Sequence, residues 1–178
     1  MNVRVATKRD IPELQSLIAA SVRGLSAGFY TQAQIDAAMA AVFGVDSQLI
    51  DDGTYYVIDH ASGPIASGGW SFRRTLYGGD QMKGAEDPRL DPAAEPARIR
   101  AFFVHPACAR RGLARRLYAK CAHAAYAAGF RRFELMSTLP GEPLYTALGF
   151  SVVERIALPI AAGVHLTLTR MDRNIDPV

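Results

Sequence analysis

The stretch from Arg98 to Ser137 limits the fold more than any other part of the chain. Arg98–Val104 is rich in β-branched and aromatic residues (Ile99, Phe102, Phe103, Val104), and Pro106 ends it, so it reads as a strand. From Gly112 to about Ala128 the apolar positions recur at helical spacing. Leu113, Leu117, Cys121, Ala124 and Ala128 make the stripe expected to be buried, while Arg116, Lys120 and His123 lie on another face. Gly129 supplies a helix C-cap, and Arg132–Ser137 reads as the next strand. A strand, a helix and a strand in succession imply parallel pairing, because neighbours running the same way need a long crossover between them.

The flanks read as helices and hairpins. Val3–Ala6 is a short strand. Thr7 then caps a helix with Pro12 in its first turn and Ile11, Leu14, Leu17 and Ile18 on one face, fading near Gly24. A second helix follows Thr31, with Ile35, Ala38, Met39 and Val42 as its stripe. Thr54–Asp59 is a strand, Ser62-Gly63-Pro64 a turn, and Ile65 to about Arg74 the antiparallel partner, weakened by Gly68-Gly69. Residues 77–97 carry glycine, proline and acid and are expected to form a long loop or a partly ordered excursion. Glu142–Leu148 is a short helix, Ser151–Ile156 and Val164–Arg170 are strands, and the tail after Met171 is expected to be loose. The order is β-α-α-β-β-β-α-β-α-β-β. That is an α/β fold (α+β by some schemes), a single-domain, mixed but mostly antiparallel sheet with helices on both faces. It is expected to occupy residues 1–172, with 173–178 as a short tail.

The 178 residues suffice for one full core. No apolar run reaches the length of a membrane span, and Met1-Asn2-Val3-Arg4-Val5 lacks the apolar core of a secretory signal. A cytoplasmic location is the default expectation. Two cysteines, Cys108 and Cys121, and four scattered histidines give neither a disulfide framework nor a metal motif, so no metal is expected. The net charge of +3 is unevenly spread. Nine Lys or Arg and no acid lie between Arg98 and Arg132, and five acids against two bases lie between Gly78 and Pro96. Such a local basic field suits an anionic small ligand better than general nucleic-acid affinity.

The basic field has a focus at Val104-His105-Pro106-Ala107-Cys108-Ala109-Arg110-Arg111-Gly112-Leu113-Ala114. A strand leads through a turn into a helix whose first residues are small. A helix N-terminus offers unpaired N–H groups and partial positive charge. The missing Cβ of Gly112 lets phosphate oxygens approach the backbone, and Arg110 and Arg111 add charged donors. The combination fits a diphosphate. It is neither a P-loop, since no Gly-Lys-Ser/Thr follows, nor a dinucleotide fingerprint.

These residues resemble the GNAT superfamily of acyl-CoA N-acyltransferases. The family's Val-x-Pro, then Gln/Arg-x-x-Gly-x-Gly/Ala, is matched by Val104-His105-Pro106 and Ala109-Arg110-Arg111-Gly112-Leu113-Ala114, with Ala109 standing where Gln or Arg is usual. Tyr145-Thr146-Ala147-Leu148-Gly149-Phe150 matches the family's Tyr-x-x-x-Gly-Phe element. With the element order, the resemblance spans roughly residues 2–170. It implies acetyl-CoA as co-substrate, held in a gap between the fourth and fifth strands. Pantetheine would lie along Phe102, Phe103 and Val104, with the Val104 N–H facing the thioester carbonyl. The diphosphate would meet Arg110, Arg111, Gly112, Leu113, Ala114 and Arg115. It also implies Tyr145 as the group that meets the leaving thiolate.

Transfer to an amine needs a neutral nucleophile. At a pKa of ~10.4, about one primary amine in 2,500 is neutral at pH 7. Relatives often carry a Glu on the fourth strand for this, but Arg98 and Arg100 take those positions here. Glu134 on the fifth strand is the remaining named candidate for the base, beside a water chain or a group from residues 77–97. The acceptor, a small molecule or a peptide, is expected between the first two helices and that segment, with Phe29, Tyr30, Trp70, Tyr77, Asp80 and Glu86 suited by composition to a cationic amine. The missing base also leaves open a catalytically weak or inactive acyl-CoA-binding or regulatory module of the same fold. A homodimer is left open by the resemblance; membrane and nucleic-acid partners are disfavoured.

Overall fold

The computed structural model describes residues 2–61 and 63–177. The start of the turn expected at Ser62–Pro64, like Met1 and Val178, lies outside the described residues. The elements are β1 (Val3–Val5), α1 (Ile11–Leu25), α2 (Gln32–Ala41), α3 (Ser47–Asp51), β2 (Tyr55–His60), β3 (Gly63–Ser71), β4 (Ala97–Val104), α4 (Leu113–Ala127), β5 (Arg132–Thr138), α5 (Glu142–Ala147), β6 (Ser151–Ala161) and β7 (Val164–Asn174). The expected order holds with one addition. α3 is five residues long, too short for a period to register in the sequence; it is started by Asp46, whose carboxylate accepts from Gln48 N at 3.1 Å.

The seven strands form one sheet in the order β1-β2-β3-β4-β5-β7-β6. Every neighbouring pair is antiparallel except β4–β5, which is parallel. The alternation of side chains across a strand divides the interior in two. Tyr56 and Ile58 of β2 pack with Leu117, Cys121 and Ala125 of α4 on one face. Tyr55 and Val57 pack with Leu14, Leu17 and Ile18 of α1 and Ile35 of α2 on the other. The sheet therefore separates α1–α3 from α4 and α5, with a core on each side.

Three local expectations are corrected. The buried stripe of α4 is Leu113, Leu117, Cys121 and Ala125, joined by Tyr118. Ala124 is only half-buried and Ala128 is exposed at the C-cap, because a buried stripe at steps of four passes through 125 rather than 124 and 128. Next, β6 and β7 reach well past Ile156 and Arg170, and each arm of the hairpin they form is 11 residues long. The tail is not loose after Met171: β7 runs to Asn174, across the boundary drawn at 172, and Ile175 is buried with its N–H donating to Arg131 O at 2.9 Å.

The segment between β3 and β4 is an irregular excursion held in place by polar contacts. Arg73 pairs with Asp52 at 2.6 Å, Leu90 N bonds Phe72 O at 2.8 Å, and Asp80 accepts from Ser47 N at 2.9 Å. The strongest tie is Arg100 on β4. Its guanidinium, 3% exposed, bonds Asp46 at 2.8 Å, Gly78 O at 2.7 Å and Thr75 O at 2.8 Å. Asp46, 1% exposed, also takes the Lys83 ammonium. Burial pulls the Arg100 pKa below its usual range while Asp46 and Asp87 pull it back up. A buried pair is costly to break on one side, since it strands the other charge. Asp46→Ala is expected to destabilise the protein by about 3–5 kcal/mol, measured by urea unfolding, whereas Lys83→Met should cost less, because Asp46 keeps Arg100 as its counter-ion. Equal losses for the two variants would contradict the pairing of Arg100 with Asp46 as the dominant tie.

Candidate active site

The parallel pair β4–β5 is registered at Ala97 with Phe133 and Arg98 with Glu134. Beyond these positions the two strands follow different partners. β4 stays with β3 as far as Val104 opposite Ala66, while β5 pairs with β7 as far as Thr138 opposite Leu168. The sheet splits between them. The split opens into a cavity of about 220 Å³, walled by β4 from Ile99 to Val104, by Met136, Ser137 and Thr138 of β5, and by groups from both helical layers.

The wall formed by β4 is bent. Ser67 faces Phe103 and Gly69 faces Arg100, so three steps on β4 match two on β3. The extra residue is accommodated at Ala101, whose φ is +54°, an uncommon conformation for a residue with a Cβ. Tyr55 secures the bulge, its hydroxyl lying 2.9 Å from Ser67 Oγ and 3.2 Å from Ala101 O. The Phe102 ring is thrown over Gly68, where a Cβ would come within 2.7 Å of it. That close approach explains the glycine in β3. The Val104 N–H donates to Ser21 Oγ of α1 at 3.2 Å rather than to a strand.

The chain then enters the turn before α4. Pro106–Cys108 forms a single 3-10 turn, with His105 Nδ1 accepting from Ala107 N at 3.3 Å. Arg110 (φ +63°) and Gly112 (φ +77°) are both left-handed. The first intrahelical bond runs from Arg116 N to Gly112 O at 3.1 Å. The N–H groups of Leu113, Ala114 and Arg115 precede it and have no acceptor within the helix. A Cβ built on Gly112 meets nothing within 4 Å. Space stands open against a row of peptide donors, and Arg110, Arg111 and Arg115 are exposed around it. This is the environment an anion requires.

On the opposite wall, Tyr145 of α5 is 8% exposed and lines the cavity. Its ring meets Phe102 and Phe150 edge-on, with centroids 6.3 and 5.7 Å away. Its hydroxyl has no hydrogen-bond partner among the described residues. Burial pushes its pKa well above the ordinary phenol value, so it stays protonated and can donate.

Of the site residues expected from sequence, Phe102, Phe103, Val104, Ala114 and Tyr145 meet at this one cavity. Arg110, Arg111, Gly112 and Arg115 lie in and just after the turn that delivers Ala114 to it. Leu113 turns its side chain into the core and offers only its N–H. Glu134 lies apart from these. It sits where β4 and β5 are still paired, outside the cavity lining, clamped between Arg98 and Arg170, the latter at 2.7 Å. Of the expected acceptor group only Tyr77 lines the cavity. Tyr30 is buried and bridges Thr167 O and Leu139 N, Trp70 packs on Phe72 and Phe130 in the α4 core, Asp80 holds Ser47, and Phe29 and Glu86 are exposed. Sequence reasoning missed Ser21, Ser137 and the lining role of Arg100. Ser21 carried a signal: it is a hydroxyl on the otherwise apolar face of α1 between Ile18 and Leu25.

The comparisons with known proteins bear on this geometry. Residues 27–150 match the Acetyltransferase (GNAT) family model. No curated protein matches the sequence. Solved structures share the fold at low identity. An N-acetyltransferase of Rhodopseudomonas palustris is 17% identical with a TM-score of 0.70, covering 97% of this chain and 94% of that one. The PaiA N-acetyltransferase of Thermoplasma acidophilum, solved with coenzyme A, is 13% identical with a TM-score of 0.65, covering 97% and 98%. A phosphinothricin acetyltransferase of Sinorhizobium meliloti, solved with acetyl-CoA, is 18% identical with a TM-score of 0.64, covering 98% and 88%. With a family model spanning most of its length, and a sheet that splits between a parallel pair beside an anion-binding turn, the chain belongs to the GNAT acetyltransferase family.

Proposed function

We propose that the protein is an N-acetyltransferase that carries an acetyl group from acetyl-CoA to a primary amine by direct attack, with both substrates bound together. The observation that supports this most is the single cavity. It joins the split between β4 and β5, the Val104 N–H and the Tyr145 hydroxyl, and it lies beside the turn at Arg110–Ala114. The residues present fit the co-substrate: the peptide donors of residues 112–115 and the flanking arginines suit its diphosphate, and the free edges of β4 and β5 suit its extended amide arm. Neighbours of the same fold solved with coenzyme A or acetyl-CoA add support.

The chain's own groups divide the work. The Val104 N–H donates to the carbonyl oxygen as charge develops there, and a preorganised donor of this kind contributes about 10²–10³ in rate. Ser21 Oγ, its present acceptor, must yield or share that bond. The proton balance is internal: a neutral amine gives up one proton on becoming an amide, and the departing thiolate takes one up. Tyr145 does not need to lose its proton. Its raised pKa sets it further above the thiol value of ~8.5, so its role is to donate a hydrogen bond to the thiolate.

Titration calorimetry with acetyl-CoA tests the reading directly; folded protein that takes up neither acetyl-CoA nor coenzyme A would refute it. Tyr145→Phe should lower kcat by about 10²-fold and change the acetyl-CoA Kd less than twofold. A variant with unchanged kcat removes Tyr145 from the chemistry. Gly112→Ala should fold with a loss of about 1–2 kcal/mol from its left-handed backbone, and its new Cβ should weaken acetyl-CoA binding more than tenfold, read by the same calorimetry. Glu134→Gln should leave the pH profile of thiol release unchanged; loss of the acidic limb would identify Glu134 as the base. Binding with no thiol release from any amine would leave an acyl-CoA-binding module instead.

A further inference from the structure

The inner surface of the cavity carries a charge pattern that bears on the acceptor. On the side of α1, α2 and the 76–79 segment the walls are Val22, Leu25, Val42, Phe43 and Leu76. Ser21 and Ser26 add hydroxyls, and Tyr77 and Tyr145 add phenols. Among the described residues lining the cavity, one is charged, and it is a cation: Arg100. Its counter-ion Asp46 lies outside the lining and is spent three times over, on Arg100, on Lys83 and on the N–H of Gln48. The next carboxylate, Asp87, accepts from Thr75 N at 2.8 Å. No carboxylate and no imidazole of the described residues reaches the cavity.

Given that the protein is an acyltransferase, on which the acceptor class depends, we propose that the acceptor is an amine already uncharged at neutral pH, a weakly basic amine such as an aryl amine on a small apolar framework, and that cationic alkylamines are disfavoured. An ammonium entering this cavity exchanges its hydration for apolar walls and finds no carboxylate to receive it, since the one charged lining residue, Arg100, is a cation already turned onto Asp46, Thr75 O and Gly78 O. Nothing in the lining compensates it, and nothing there takes its proton. A weakly basic amine carries no such charge and needs no base. The titratable side chains among the lining residues are Arg100 from β4, its guanidinium held by Asp46, Thr75 O and Gly78 O, Tyr77 from the 76–79 segment and Tyr145 from α5; α1 and α2 present hydroxyls and hydrocarbon. Behind Arg100 stand Asp46, Lys83 and Asp87, with Arg98 further along β4. The same pattern explains why the position at which relatives carry a Glu can be an Arg here: a substrate that arrives neutral makes a carboxylate on β4 unnecessary.

The test uses the full chain. Calorimetry with acetyl-CoA comes first, and failure there counts against acyl transfer itself rather than against the acceptor class. Thiol release is then followed from about pH 6 to about pH 9 with aniline, benzylamine and putrescine, which span an aryl amine, an alkylamine on the same ring and a dication. The aryl amine should show kcat/KM constant within about twofold over this range. The alkylamine should rise about tenfold per pH unit below its own pKa, following its neutral fraction, and fall at least tenfold short of the aryl amine at pH 7; putrescine should be slowest. Three outcomes overturn the proposal: putrescine or benzylamine preferred at pH 7, alkylamine turnover that stays level down to pH 6, or bound acetyl-CoA with no turnover of the aryl amine.

Discussion

Between Arg98 and Glu134 the sheet is closed, and past them it is open. That short parallel registration is the constraint on which the rest depends. A β-strand with an unpaired edge presents peptide N–H and C=O groups that must find partners. β4 meets this demand in three ways: one edge stays on β3, the bulge at Ala101 turns part of the backbone aside, and the Val104 N–H is lent to Ser21. β5 is supported by β7 along its whole length. The gap can persist because each strand has a full partner on its other side, so the split costs little cooperativity. The cavity is then a property of the topology, and the side chains of α1 and α5 only line it.

The second organising interaction is electrostatic. Arg100 and Asp46 are buried together and tie the irregular chain before β4 to the strand that walls the cavity. The backbone at Thr75 and Gly78 is held by a charge that cannot leave without stranding its partner. A segment with so few apolar anchors, Leu90 being the principal one, would otherwise be a flexible loop. The residue that fixes the wall is also the one charged residue of the described cavity lining.

How much of the molecule was legible in the sequence depends on the range of the interactions. The β4–α4–β5 unit was legible because each part announces itself locally: aromatic and branched residues, a helical stripe, a glycine at each helix end. The turn at Arg110–Ala114 was legible for the same reason, and Tyr145 through its Gly149-Phe150 companion. The bulge was not, since it rests on Tyr55 reaching Ser67 and Ala101, contacts that no local pattern contains. Arg100 was noticed only as an Arg in a Glu position; its partner lies 54 residues away. For Glu134 the strand was legible and the depth along that strand was not. It sits on the closed side of the split, where Arg98 and Arg170 claim it. Asp80 and Trp70 were chosen by composition, and composition does not say which face of a sheet a residue occupies.

The two rims of the sheet are finished differently. β1 has three residues, and its Arg4 is committed to Asp10 and Asp59. β6 has eleven, mostly solvent-facing, with Val152 and Val153 exposed. A long bare strand of that kind is a template for uncontrolled polymerisation. Here Pro159 removes one donor from the run, register shifts at Val152/Glu154 and Pro159/Ala161 break its flatness, and Glu154 and Arg155 put charge beside the valines. The outermost strand is therefore a poor nucleus for fibrils, and the molecule can carry a long open border without seeding its own precipitation.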